Sequence, residues 1–190
     1  GKIVIDGIDI SSLGLYDLRK KITVIPQDPL LFNGTLRENI DLAHEYTDQE
    51  VWEVMEKVSL REKFANREGL ETKIKDDGGN LSAGEKQLVC IARAILRRNR
   101  VILIDEATSN IDVATEALLQ STIREKLKDS TVLTIAHRLK TIIDSDRILV
   151  MGNGEVLEFD TPQALLNNPN SYFYGLWTQA QKEKETEIDQ

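Results

Sequence analysis

Asp105 and Glu106 stand side by side directly after the apolar run Val101-Ile102-Leu103-Ile104. A run of that composition reads as a strand buried on both faces, and in an open parallel sheet the carboxyl end of such a strand is where ligands bind. Carboxylates placed there can hold a hard cation or accept a proton. One acidic residue could equally cap the next helix, but two adjacent ones weaken that alternative. A second chemical signal is Leu81-Ser82-Ala83-Gly84-Glu85 at the start of an apolar-striped helix. The free N–H groups and partial positive charge of a helix amino end make an anion site. Ser82 and Glu85 also fit a capping box, and both readings can hold together. His137 closes the β-rich run Thr131 to Ala136, where it is either a satisfied structural histidine or a site residue. Gln27 lies between Pro26 and Asp28-Pro29 after Ile22-Thr23-Val24-Ile25; on its chemistry alone it is a surface-loop glutamine.

The elements that would position these groups follow from the same residues. Lys2 to Ile10 forms two apolar runs about Asp6-Gly7, a strong hairpin signal. Leu13 to Lys20 reads as a short helix, and Pro26 ends the strand at Ile25. Three S/T-x-x-E patterns, Thr35 with Glu38, Thr47 with Glu50 and Ser59 with Glu62, announce a run of short helices. Val51, Val54, Met55 and Val58 are the core stripe of the middle one. Asp76 to Asn80 reads as a mobile turn. Leu88, Ile91, Ile95 and Leu96 face a core, and Leu119, Ile123 and Leu127 outline the next helix. Arg147 to Met151 and Glu155 to Phe159 flank Gly152-Asn153-Gly154 as a hairpin, Pro162 opens a helix, and Ser171 to Gln181 forms a last one before a disordered charged tail.

Composition narrows the field. With 190 residues, 41% of them hydrophobic, the chain can bury one sizeable core with a smaller subdomain attached. A net charge of -8 argues against a nucleic-acid partner. The single cysteine, Cys90, falls in a helical stripe and reads as a small buried hydrophobe, and without a second cysteine no internal disulfide can form, which fits a cytosolic setting. No apolar run approaches the roughly 18 residues of a membrane helix.

IPQDPLLF, LRENID, LSAGE, QLVCIARAIL, VILIDEATSNID and TVLTIAHRL occur in this order from Ile25 to Leu139. Together they resemble the nucleotide-binding domain of ATP-binding cassette (ABC) transporters, and within that family the second cassette of the multidrug-resistance-associated, conjugate-exporter subfamily. The resemblance implies an α/β fold of the P-loop NTPase type, mainly a parallel sheet flanked by helices, with an antiparallel hairpin at the N-terminus. It implies one cassette over residues 1–178, a helical subdomain at about 39–98, and a charged tail over 179–190. The phosphate-binding G-x-x-x-x-G-K-[ST] loop is expected upstream of Gly1, leaving this chain N-terminally incomplete and inactive by itself.

By the same resemblance the ligands are ATP and Mg²⁺. Asp105 and Gln27 would contact the metal, Glu106 would be the general base toward water, and His137 would bind the γ-phosphate. Leu81, Ser82, Ala83, Gly84 and Glu85 would grip ATP held by a second nucleotide-binding cassette, and Asp112 would communicate across the pair. The other partner is the set of transmembrane domains of one transporter, with the cassette on the cytoplasmic face of a membrane. The family's usual signature is LSGGQ. Ala83 adds a methyl to it, and Glu85 sets an anion near the phosphate, which bears on the strength of this half-site. Two rival readings are an ABC-type chromosome or DNA-repair ATPase head, which would interrupt the chain with long coiled coils absent between Gln27 and Leu81, and a non-catalytic interaction module.

Overall fold

The computed structural model describes residues 1–105, 111–136 and 138–188, which divide into two compact units, 1–135 and 136–190. The first unit opens with β1 (Val4–Ile5) and β2 (Ile8–Asp9), an antiparallel hairpin whose Asp6 and Gly7 both take positive φ, as the expected tight turn requires. Then come α1 (Leu15–Lys21), β3 (Ile22–Ile25), β4 (Gly34–Thr35), α2 (Leu36–Ile40), α3 (Asp48–Lys57), α4 (Arg61–Ala65), β5 (Lys73–Ile74), α5 (Ala83–Arg97), β6 (Val101–Asp105), α6 (Val113–Lys126) and β7 (Thr131–Ile135). Strands β3, β6 and β7 form one parallel sheet in the order β3-β6-β7. β4 and β5 make a separate short antiparallel pair.

Capping chemistry sets several boundaries. Thr35 and Thr47 each accept the N–H of the glutamate three residues on, and that glutamate accepts the threonine N–H in return. The third expected box is not formed. Ser59 takes a left-handed φ and ends α3: its N–H donates to Glu56 O, and the Leu60 N–H donates to Met55 O, a Schellman closure that buries Leu60. The turn expected to be mobile is fastened. Asp76–Gly78 forms a 3₁₀ turn, Asn80 accepts the Lys75 N–H and donates to Lys73 O, and the Lys86 ammonium donates to Asp77 O.

The core of this unit gathers Ile25, the Val51/Val54/Met55/Val58 stripe, Phe64, much of α5, Ile102, Ile104 and Leu119. Strand β6 departs from the expected double burial. Ile102 and Ile104 are buried, whereas Leu103 lies in register with Val24 and Leu133, and that cross-strand row is exposed. The unit's core forms on one side of the sheet only, and the alternation of a strand puts every second residue on the other.

The second unit contains α7 (Leu139–Ile142), β8 (Ile148–Gly152), β9 (Glu155–Asp160), α8 (Pro162–Leu166) and α9 (Tyr172–Ile188). β8 and β9 pair as the expected hairpin around Asn153-Gly154, both at positive φ. Ile148, Leu165 and Phe173 are its buried centre. Helix α9 continues to Ile188, beyond the Gln181 end and into the tail expected to be disordered; the Lys/Glu-rich composition there favours helix. Among the described residues no helix is long and apolar enough to cross a membrane.

Candidate functional site

The parallel register brings the ends of three strands to one edge: Ile25 pairs with Ile104, and Asp105 with Ile135. Gln27 is therefore two residues past the end of β3, on the strand beside the one that ends in Asp105. Both residues are exposed. Glu106 and His137, the expected base and phosphate ligand, lie outside the described residues. Among those described, no cluster of three or more histidine, cysteine, aspartate or glutamate side chains could cage a metal. A single described aspartate with an amide on the neighbouring strand's exit fits Mg²⁺, which takes one or two protein oxygens and fills its other positions with water and phosphate.

Helix α5 carries the second part of the site. Leu81 is buried and anchors the approach, while Ser82 and Ala83 are exposed. Ser82 is the N-cap; its Oγ accepts the Glu85 N–H at 3.2 Å and Glu85 Oε2 accepts the Ser82 N–H at 2.8 Å, so the capping box exists. The other Glu85 oxygen is paired with the Lys63 ammonium from α4. The anion that the sequence sets beside the phosphate position is thus folded onto the cap and compensated from a neighbouring helix, and no spacing rule pointed to Lys63.

Gly84 is buried against the start of α6. A Cβ here would overlap Thr115 Cγ2 and come within 3.3 Å of Thr115 Cβ and 3.5 Å of Ile111 Cγ2. Asp112 caps α6 by accepting the Thr115 N–H at 3.0 Å, and the Thr115 hydroxyl together with this N–H holds its carboxyl below the usual range. Gly84 and the Asp112 cap are therefore neighbours through Thr115, a closeness that a separation of 28 positions did not disclose.

Two polar residues of α5, buried Gln87 and partly buried Arg93, carry contacts that the sequence did not disclose. Gln87 donates to the carbonyls of Gln27 and Pro26, at 2.8 and 3.4 Å. Arg93 donates to Leu30 O at 2.7 Å and to Asn39 O. Their only sequence signal is polarity inside an otherwise apolar stripe. Cys90, between them, is buried, and that burial pushes its thiol pKa up.

A parallel sheet with helices packed on it and Asp105 at its carboxyl edge makes this an α/β domain whose ligand-binding edge carries a carboxylate. Comparison with known proteins narrows this. The ABC transporter family model matches residues 1–109, and the chain belongs to that family. It is 51% identical over 183 residues to the mouse ATP-binding cassette sub-family C member 4, covering 96% of this chain and 14% of that protein. It is 54% identical over 174 residues to the Caenorhabditis elegans multidrug resistance protein mrp-7, covering 91% of this chain and 11% of the relative. A bacterial Atm1-family ABC exporter solved with ATP bound superposes with a TM-score of 0.86 at 35% identity, over 95% of this chain and 32% of that one. The chain thus spans a small part of each of these proteins.

Proposed function

We propose that this chain is part of an ATP-hydrolysing cassette that powers export of a substrate across a membrane, with ATP bound between two cassettes on the cytoplasmic side. The observation that carries the reading is the parallel register that sets the Gln27 loop beside Asp105, in a chain belonging to the ABC transporter family. Mg²⁺, held by Asp105 with help from the Gln27 amide oxygen, would neutralise charge on the phosphates when bound. Glu106 would take the proton of the attacking water, and His137 would hold the γ-phosphoryl and that water in line. The Ser82 hydroxyl and the α5 amino end would receive the γ-phosphate of ATP held by the other cassette, with Gly84 keeping the backbone close. Asp112, joined to Gly84 through Thr115, would relay between the two sites. The helices between residues 39 and 98 would dock on transmembrane domains.

The test is Glu106→Gln in the complete transporter. The amide keeps the shape but cannot accept a proton, so steady-state ATP turnover should fall at least about a hundredfold while nucleotide binding persists. Undiminished turnover would remove Glu106 from the role of base.

A further inference from the structure

One strip of α5 faces the loop that leaves β3. Gln87, Cys90 and Arg93 recur at i, i+3 and i+6; Gln87 and Arg93 donate to that loop's carbonyls, and the Arg93 guanidinium also donates to the Cys90 sulfur. Gln87 is only 3% exposed. Its Nε2 donates to the carbonyls of Pro26 and Gln27, and its Oε1 is buried without a partner among the described residues. An unmet buried acceptor is destabilising, so an apolar side chain of the same length would suit the core better. Core packing therefore does not explain the amide, whereas its grip on Pro26 and Gln27 does. Farther along, Arg93 fixes Leu30 O, and Asn39 accepts the Phe32 N–H and donates to Phe32 O. The loop is fastened at both ends, and Gln87 is the fastening beside Gln27.

We propose that Gln87 is a positioning residue for the metal-dependent step: by holding the Pro26 and Gln27 carbonyls to α5, it sets where the Gln27 side chain stands beside Asp105. The inference rests on the reading of Gln27 and Asp105 as Mg²⁺ contacts given above. Helix α5, whose amino end carries Ser82, is thereby joined by one buried side chain to the loop that would reach the metal.

The experiment uses the complete transporter with Mn²⁺ in place of Mg²⁺ and a non-hydrolysable ATP analogue, reading bound metal by electron paramagnetic resonance. Gln87→Met keeps length and burial but removes the donor. Its half-saturating Mn²⁺ should rise about three- to tenfold, less than the roughly 10–100-fold typical when a group orienting a ligand directly is lost. The thermal unfolding midpoint should stay level or rise. In a Gln27→Ala background Gln87→Met should add nothing to the metal shift, because the side chain it positions is gone. Should Gln87→Met fail to fold, Gln87→Asn, one methylene too short to reach both carbonyls, should show a smaller shift in the same direction. Metal binding unchanged in the folded variant, or an equal shift with and without Gln27, overturns the proposal. Asp105→Asn separates the two readings: if it weakens Mn²⁺ binding and Gln87→Met does not, only the role of Gln87 fails; if neither does, the metal site itself is wrong.

Discussion

At the scale of single residues, Glu85 shows how a charge that looks adverse in a motif can be absorbed by its surroundings. Its carboxylate is divided between the Ser82 N–H and the Lys63 ammonium. Glu85→Gln would keep the first contact and strand the second, so removing the anion alone is expected to alter ATP-driven pairing of cassettes only slightly. Lys63→Met should weaken that pairing about two- to fivefold, because the side chains are partly solvated and a pair of this kind contributes about 0.5–1 kcal/mol. In a Glu85→Gln background the same change should have almost no effect, and raising the salt should erase the difference. Dimerisation measured for the four forms at low and high salt decides this; additive effects would show that Lys63 acts on something other than Glu85.

The elements were legible where one local rule governed them. Val51, Val54, Met55 and Val58 stand at helical spacing, Pro26 cannot continue a ladder, and Asp6-Gly7 and Asn153-Gly154 supply the left-handed residues of tight hairpins. Ser59 failed because two local rules competed for one residue: it fits an N-cap, but ending α3 took precedence. The exposed row Val24, Leu103 and Leu133 failed because an apolar run does not say which of its faces the helices will cover. For the candidate site, the order of motifs disclosed the residues, while the contacts joining them, Gln87 to Gln27 and Gly84 to Thr115, came only from the packing of α5. That packing is itself testable. Gly84→Ala drives a methyl into Thr115 and should cost about 1–3 kcal/mol of stability, as overpacking does. Thr115→Ser removes the Cγ2 that is struck, so it should recover most of the loss in thermal or denaturant unfolding. A Gly84→Ala variant of native stability would mean that α5 and α6 are not pressed together there.

For the whole molecule, the two units each rest on a carboxylate that must stay ionised. In the first, Asp41 is buried, which by itself pushes its pKa up; the Tyr46 N–H, the Arg37 guanidinium at 3.0 Å and the Glu45 N–H outweigh this and hold it below the ordinary value. In the second, burial likewise opposes ionisation of Glu158, but the Phe173 and Tyr172 N–H groups and the Ser171 hydroxyl, all at the start of α9, prevail and depress its pKa. A depressed carboxylate stabilises the fold above its unfolded pKa, and that contribution is lost as pH falls through the folded value. Stability should therefore be level from neutral pH to about 5 and then decline from the usual carboxylate range, near 4, downward. Asp41→Asn should lower stability at pH 7, because Arg37 is left buried without its closest buried anion. Losing one partner of a buried pair costs about 3–5 kcal/mol, and the Asp48 carboxylate and Tyr46 carbonyl that still hold the guanidinium place this case at the lower end. The same variant should lose less on going from pH 5 to pH 3, since one of the titrating groups is gone. Unfolding midpoints of the native chain, Asp41→Asn and Glu158→Gln across that range provide the measurement. A native chain whose stability rose on acidification, or an Asp41→Asn variant with an undiminished acid slope, would show that these carboxylates do not anchor the two units.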